Sequence, residues 1–137
     1  MKPFIWTIRV YYEDTDTGGI VYYANYLKFF ERARTEWLRS IGFDQQKMAE
    51  ELAVRFVIAR VECDFRLPAR LDDVIDVDVR VARAGGASMV FEQAARRGPD
   101  VLATVRVRTG CIDSTRFTPV PLPSNLRAAL TQLHTES

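Results

Sequence analysis

Two carboxylates and two glycines lie close together near the N-terminus, where Asp14 and Asp16 are followed by Gly18 and Gly19. They lie between a stretch of alternating hydrophobicity and a stretch of helical period. A carboxylate beside a helix N-terminus can act as a nucleophile or as a general base toward water. The free N–H groups of that helix end can stabilise negative charge on a carbonyl oxygen. Together these groups suit hydrolysis of a thioester better than of an amide, because a thiolate leaves without a strong general acid.

Two other interpretations of this loop compete with hydrolysis. A calcium loop of the EF-hand type would take Asp14, Asp16 and Gly19 at its first, third and sixth positions, but Gly18 and Asn25 occupy its fifth and twelfth. The spacing therefore disfavours calcium. The remaining alternative is structural, because Asp side chains commonly accept hydrogen bonds from their own backbone in glycine-containing turns.

The scarcity of histidine removes several common chemistries. The only imidazole is His134, close to the C-terminus, so a Ser-His-Asp triad, a Cys-His pair and a histidine-rich zinc site are all disfavoured. Cys63 and Cys111 each lie in a predicted strand, at positions that alternate in step with the inward-facing apolar residues. This pattern predicts reduced thiols in the core. Any chemistry must then use carboxylates, hydroxyls or backbone groups, and we expect neither a metal nor another cofactor.

The elements around the loop follow from periodicity. Phe4 to Tyr12 alternate as a half-buried strand does. From about Ala24 to Ile41 apolar residues recur every three or four positions, which predicts one long helix that ends at Gly42. Residues 43–52 are ambiguous and are compatible with a short helix.

The rest of the chain shows strand signals up to a proline-rich connector. Val57, Ala59, Val61, Cys63 and Phe65 alternate with polar residues and predict one buried face. Three further strands are predicted at residues 75–81, 88–97 and 101–113, with glycine-containing turns that favour antiparallel hairpins. A short C-terminal helix is predicted after Ser124 as its cap, with an apolar stripe formed by Leu126, Leu130 and Leu133.

These elements predict an α+β fold in one domain spanning residues 1–137, with a curved five-stranded antiparallel sheet wrapped around one long helix. A single helix covers only part of such a sheet. Aromatic residues also cluster near the loop, namely Tyr11, Tyr12, Tyr22, Tyr23 and Phe29. We therefore expect leftover apolar surface that a second subunit buries, in a dimer or a tetramer of dimers.

The amino-acid composition indicates which classes of partner the protein binds. The 137 residues include 19 Lys and Arg against 18 Asp and Glu, which gives a net charge of +1. A general nucleic-acid binder would need an excess of positive charge. No apolar run is long enough to span a membrane, and the N-terminus has no apolar signal core. The expected location is cytoplasmic, without stable membrane insertion, and the expected partner is a small molecule.

The loop and the helix start also resemble a known family. The residues that carry the resemblance run from Tyr12 through Asp16, Gly18, Gly19 and Val21 to Tyr26, and continue from Phe30 to Glu36. This stretch is similar to the hotdog-fold thioesterases of the 4-hydroxybenzoyl-CoA thioesterase group, and most similar to the bacterial acyl-CoA thioesterases associated with the Tol-Pal system. With the predicted order of elements, the resemblance extends over roughly residues 4–115.

The resemblance implies roles for individual residues. Asp16 corresponds to the catalytic carboxylate, and the backbone N–H of Tyr23 to the group that polarises the thioester carbonyl. The neighbouring positions implied to bind substrate are Gly19, Val21, Tyr22, Ala24 and Asn25. Glu31 is similar to a helix carboxylate that faces the neighbouring subunit's site, although Glu and Arg at this spacing also support any exposed helix.

Two departures from the family pattern bear on these roles. Many close relatives carry His at the position of Tyr23, so an imidazole role is absent here. The hairpin at residues 84–87 lacks the basic residues that hold CoA phosphates in the 4-hydroxybenzoyl-CoA enzymes. Arg83, Arg96 and Arg97 are the candidates for that task, and a solvated strand face is the alternative explanation of these arginines.

The predicted function is hydrolysis of acyl-CoA to a free acid and CoA, with Asp16 as the essential carboxylate. The alternative is a non-catalytic module that binds an acyl chain or an acidic acyl carrier protein through its arginines. Release of free thiol from acyl-CoA distinguishes the hydrolase from the non-catalytic binding module.

Overall fold

A five-stranded antiparallel sheet forms the frame of the molecule. The computed structural model describes residues 4–136, and the side chains of residues 4–131. The strands lie in the order β1-β3-β4-β5-β2, and each neighbouring pair is antiparallel. The strands are β1 (Phe4–Arg9), β2 (Val54–Phe65), β3 (Val74–Gly85), β4 (Ser88–Arg97) and β5 (Asp100–Asp113). β1 and β2 are therefore the two edges.

One long helix, α1 (Asn25–Ser40), packs on one face of the sheet. Its buried residues recur every three or four positions and include Phe30, Ala33 and Trp37, which is the spacing of one helix face. The helix ends where Gly42 adopts a positive φ of 92°, a conformation that glycine takes without steric cost. The predicted helix is confirmed to within a residue at each end.

The three central strands supply the apolar floor under α1. Ile75 and Val77 of β3, Phe91 of β4, and Val105 and Val107 of β5 are buried in the same core. Glycines in the left-handed conformation close the two hairpins, at residues 86 and 98, which agrees with the predicted turns. The three strand predictions for this part of the chain are confirmed, although β3 runs four residues beyond its predicted end, to Gly85.

The first strand is shorter than its sequence pattern predicts. β1 ends at Arg9, and Tyr12–Asp14 form a 3₁₀ turn. The cause is the carboxylate of Asp14, which accepts a hydrogen bond from the backbone N–H of Tyr11 at 2.9 Å. This bond turns the chain toward α1 before the alternation of side chains stops, so the prediction of a strand up to Tyr12 was wrong.

The predicted face of β2 is also corrected, because a β-bulge lies between Ile58 and Arg60. A bulge inserts one residue and reverses which side chains face inward. Ile58 pairs with Thr109 and Val61 with Val107 on the helix side of the sheet, whereas Val57 pairs with Gly110 on the other side. Val61, Cys63 and Phe65 keep the predicted phase, but only Cys63 is partly buried, since Val61 and Phe65 are exposed. The first part of the predicted face was wrong.

Two shorter helices complete the fold. α2 (Gln45–Leu52) begins after Asp44, whose carboxylate accepts the N–H groups of Gln46 and Lys47. α3 (Ser124–Glu136) starts at Ser124 itself, one residue earlier than a capping role predicts. Its Leu126 and Leu130 are buried, while the predicted Leu133 lies outside the described side chains, as does His134.

The two cysteines differ in exposure. Cys111 is fully buried, and Cys63 is partly buried against the same core. None of the helices within residues 4–136 has the length and apolarity needed to cross a membrane.

Candidate active site

The loop between the 3₁₀ turn and α1 is closed by its own backbone. Thr15 forms an isolated antiparallel bridge with Val21. Inside it, the N–H of Asp16 donates to the carbonyl of Ile20 at 2.9 Å, and the N–H of Gly19 donates to the carbonyl of Asp16 at 3.1 Å. Gly19 has a φ of +79°, which L side chains rarely adopt. The result is a tight hairpin with Asp16 near its tip.

The two aspartates of the loop have different environments. Asp14 is only 7% exposed, and its backbone carbonyl accepts hydrogen bonds from the N–H of Tyr22 and the side-chain amide of Asn25, both at 2.9 Å. Asp16 is exposed, and its Oδ1 accepts the N–H of Gly18 at 2.8 Å. Its Oδ2 has no partner among residues 4–131. Asp14 therefore builds the loop, whereas Asp16 exposes a carboxylate oxygen that no described residue engages.

The start of α1 lies directly after the loop and provides free donors. The N–H of Tyr26 donates to the carbonyl of Tyr23, and that of Leu27 donates to the carbonyl of Ala24. Within the described part of the chain, no hydrogen bond engages the N–H groups of Tyr23 and Ala24. Such groups at a helix start favour negative charge on a bound oxygen.

Aromatic rings surround this helix start. The ring of Tyr23 lies 4.9 Å from that of Tyr22 and 5.9 Å from that of Phe65, measured between centroids. Phe65 in turn contacts Tyr26 at 5.6 Å. The Tyr23 side chain is 61% exposed, and its proximity raises the pKa of the Tyr22 phenol. The rings offer an apolar, partly open surface beside the free N–H groups.

The segment between β2 and β3 joins the loop to the start of α1 through hydrogen bonds. The N–H of Ala69 donates to the phenol oxygen of Tyr26 at 3.0 Å, and the carbonyl of Ala69 accepts the N–H of Val21 at 2.8 Å. Arg70 forms an isolated bridge with Ile20. The loop that carries Asp16 is thereby fixed to the body of the protein at two neighbouring residues.

The structure brings most of the predicted site residues to one place. Those at the junction of the loop and α1 are Asp16, Gly19, Tyr22, Tyr23, Ala24 and Asn25. Val21 also belongs to this junction, but its side chain is buried in the core, and the Asn25 amide is engaged by Asp14. Glu31 lies elsewhere, about 9 Å along the axis of α1 from Asn25, at the mouth of a separate cavity.

Sequence reasoning missed two contributors to the site. Phe65 was predicted only as part of a strand face, and its contact with Tyr23 joins residues far apart in sequence. Ala69 carries no chemical signal, because it acts through its backbone. No pattern in the sequence marks either of them.

The three arginines proposed to bind the CoA phosphates lie in different environments. Arg96 pairs with Asp78 at 2.6 Å, and Arg97 pairs with Asp73 at 2.8 Å. Arg83 instead lines a groove of about 660 Å³ on the face of the sheet opposite α1. Three further arginines that the sequence analysis did not single out line the same groove: Arg60, Arg106 and Arg108.

Comparison with known proteins decides the family. Residues 10–130 match the family model described as the thioesterase-like superfamily. The chain belongs to the thioesterase-like superfamily. Among its relatives, the acyl-CoA thioesterase YbgC of Haemophilus influenzae is 43% identical over 130 residues, which cover 95% of this chain and 96% of that protein. The acyl-CoA thioester hydrolase YbgC of Escherichia coli O157:H7 is 40% identical, with 94% and 96% covered.

A solved structure agrees with this assignment to the thioesterase-like superfamily. The probable thioesterase from Bartonella henselae superposes with a TM-score of 0.85 at 35% identity, over 89% of this chain and 100% of that one. The sheet wrapped around α1 is the hotdog fold of these thioesterases, as the sequence resemblance implied. The chain is thus an enzyme of the thioester hydrolase class.

Proposed function

We propose that this enzyme hydrolyses acyl-CoA to a free acid and CoA, with Asp16 as the catalytic carboxylate. The observation that carries the proposal is the placement of a free carboxylate oxygen at the tip of a loop that leads into a helix start with free N–H groups. The names of the relatives from Haemophilus influenzae and Escherichia coli support the choice of acyl-CoA as the substrate.

In this mechanism the thioester carbonyl oxygen accepts the backbone N–H of Tyr23. Negative charge on that oxygen is stabilised by the N–H and by the dipole of α1 as the carbonyl carbon becomes tetrahedral. Asp16 either attacks the carbonyl carbon and forms a mixed anhydride, which water then hydrolyses, or removes a proton from the attacking water. In both routes the C–S bond breaks and CoA leaves as a thiolate, which needs no histidine as an acid.

The remaining junction residues bind or position the substrate. Gly19, Tyr22 and Ala24 line the approach to Asp16 and contribute backbone or ring surface. Val21 and Asn25 act by shaping the loop, because the first is buried and the second holds the carbonyl of Asp14.

The anionic part of the substrate needs cations. Arg83 and Arg108 lie in the groove on the open face of the sheet, and neither forms an ion pair within the described residues. This leaves their guanidinium groups available for phosphate or for an acidic carrier protein, since Arg binds both through paired N–H donors.

We further propose that the enzyme is a homodimer, or a tetramer of dimers, that joins through β2. This strand is an edge of the sheet, and its exposed apolar residues are Val57, Ile58, Val61 and Phe65. An edge with open backbone groups and apolar side chains is a template for pairing with a second strand. Antiparallel pairing of two β2 strands would also bring Glu31 of one subunit toward the other subunit's site.

The test is release of free thiol from a panel of acyl-CoA substrates, followed with a thiol reagent. Asp16→Asn should lower kcat by at least about a hundredfold, the low end for loss of a positioned base, with little change in substrate binding. Asp14→Asn is the matched control, since an amide oxygen can still accept the N–H of Tyr11.

Three results would contradict the proposal in different ways. If the wild-type enzyme binds acyl-CoA or acyl carrier protein but releases no thiol, the non-catalytic binding module is the correct function. If Asp14→Asn is inactive while folded Asp16→Asn is active, the two aspartates have exchanged roles. If both variants are fully active, carboxylate catalysis by this loop is wrong.

A further inference from the structure

A second cavity, of about 170 Å³, lies between α1 and the β2 side of the sheet. Its apolar wall includes Leu38, Phe56, Met89 and Phe91. Its volume is close to that of an engineered cavity of about 150 Å³ that binds benzene. The space therefore accommodates an organic group of about six carbon atoms.

One side chain of this cavity has an unsatisfied polar atom. Thr109 on β5 is only 6% exposed, and its Oγ1 has no hydrogen-bond partner within residues 4–131. A buried hydroxyl without a partner is destabilising, whereas a ligand oxygen in the cavity would satisfy it. An entirely hydrocarbon ligand would leave this atom unpaired.

A cation lies in the same wall. Nη1 of Arg34 donates to Oε1 of Gln93 at 2.8 Å, and Nε2 of Gln93 donates to the carbonyl of Phe30 at 3.0 Å. Gln93 is 1% exposed, so it holds the guanidinium in a fixed position. No carboxylate among the described residues lies within ion-pair distance of Arg34, and burial lowers its pKa to about 10 although Glu31 opposes this effect. The other N–H donors of Arg34 can reach a ligand.

The cavity lies farther along α1 than the reaction site of its own subunit, because its lining residues Glu31 and Leu38 are about 9 Å and 20 Å from Asn25 along the helix axis. Phe56 and Phe65 are nine residues apart on β2, which corresponds to about 30 Å of strand. Two β2 strands paired antiparallel about their midpoint would place the partner's Phe65 next to Val54, beside the cavity. The partner's Tyr23 would follow, because it contacts Phe65 within its own subunit. This step rests on the proposed function and its dimer.

We propose that this cavity receives the far end of the acyl group bound at the partner's site, and that Thr109 and Arg34 select acyl groups that carry an oxygen atom there. Thr109 and Arg34 would act as specificity-determining residues, and Gln93 as a positioning residue for Arg34. A site built to pair with a ligand oxygen disfavours the analogue that lacks it, because the polar groups of the site are then left unpaired.

The test uses matched pairs of saturated acyl-CoA substrates from four to ten carbons, each pair consisting of a plain chain and its ω-hydroxy counterpart. At the chain length that reaches the cavity, kcat/KM should favour the ω-hydroxy chain by about tenfold, the effect of one net hydrogen bond. Thr109→Val keeps the shape of the side chain and removes the hydroxyl, so it should abolish this preference. Thr104→Val, on the same strand but on its opposite face, should retain it.

An unchanged preference in Thr109→Val would overturn the proposal, and so would equal kcat/KM for the two members of every pair in the wild-type enzyme. If no thioester is hydrolysed at all, the proposed function fails, and calorimetric binding of the same pairs then tests the cavity separately. Preferential binding of the ω-hydroxy member that Thr109→Val removes would still support the cavity, while equal binding would refute it.

Discussion

The phenol oxygen of Tyr26, on α1, accepts a hydrogen bond from the backbone N–H of Ala69 at 3.0 Å in the interior of the protein. The carbonyl of the same alanine accepts the N–H of Val21. One peptide segment between β2 and β3 is thus joined to the helix start and to the loop that carries Asp16. Burial raises the pKa of Tyr26, although its hydrogen bond to Ala69 lowers it, so the phenol is neutral when it accepts this bond.

Tyr26→Phe should destabilise the protein measurably. The substitution keeps the ring and leaves the buried N–H of Ala69 without a partner, which costs about 1–3 kcal/mol. Urea unfolding followed by circular dichroism measures the change. Tyr12→Phe is the matched control, because the side chain of Tyr12 is 80% exposed and its stability effect should be close to zero. Equal stability of the two variants would show that the bond contributes nothing.

A charge on the β2 edge should break the proposed dimer. In Val61→Lys the ammonium would lie on the proposed interface, where its desolvation has no compensating partner. Light scattering should give the wild-type enzyme a mass of at least twice that of the 15.7 kDa chain, and the variant the mass of a monomer, at micromolar concentration.

The matched control for that experiment is Ile5→Lys on the opposite edge strand. Ile5 is 52% exposed and Val61 is 40% exposed. The two substitutions therefore add a charge at similarly exposed positions on the two different edge strands of the sheet. Dissociation by Ile5→Lys alone would place the interface at β1. A monomeric wild-type enzyme would refute the assembly altogether, since a specific interface should bury at least about 1,000 Å².

Periodicity alone could predict the helix and the three central strands, because each buries one face over most of its length. It failed at β2, where apolar residues occupy both phases: Val57 and Val61 fit one pattern, and Ile58 fits the other. The bulge that decides between them depends on pairing with β5, which no local pattern records. β1 was predicted too long for a similar reason, since its last residues alternate although the backbone has already turned.

The position of the candidate site could also be predicted from the sequence. Which of its two aspartates is buried and which is exposed could not. Asp14 and Asp16 have the same side chain and similar neighbours in sequence. Asp14 is buried, and the amide of Asn25, eleven residues later, binds its backbone carbonyl. That contact joins the loop to the first residue of α1, and no local pattern in the sequence records it. The cavity near Thr109 likewise depends on strand pairing, and its residues carry no recognisable motif.

Neither cysteine should take part in catalysis. Burial raises the pKa of both Cys63 and Cys111, so each remains a thiol rather than a reactive thiolate near neutral pH. Cys111→Ser should cost about 1–3 kcal/mol by burying a poorly paired hydroxyl, and Cys63→Ser should cost less because that side chain is partly exposed. Turnover per folded molecule should be unchanged in both. Loss of activity on alkylation of the native enzyme, without unfolding, would contradict this prediction.

Acid should loosen the segment that anchors the loop carrying Asp16. Burial would raise the pKa of Asp73, but the N–H of Arg70 and the guanidinium of Arg97 outweigh this effect and lower it below the usual value. A carboxyl whose pKa is depressed in the folded state stabilises the protein above its unfolded pKa of about 4, and this stabilisation disappears as the pH falls through the folded pKa. The contribution of Asp73 should therefore be complete at pH 7 and be lost below about pH 4.

Asp73→Asn isolates this contribution, because the amide cannot form the ion pair with Arg97. The variant should be less stable than the wild-type protein at pH 7, and the difference should shrink between pH 4 and pH 2 as the wild-type carboxylate takes up its proton. Urea midpoints measured at each pH give the comparison. Asp100→Asn serves as the control, since Asp100 is exposed and no hydrogen bond or ion pair joins its carboxylate to another described residue. A constant difference between wild type and Asp73→Asn across the whole pH range would mean that Asp73 acts through its shape and not through its charge.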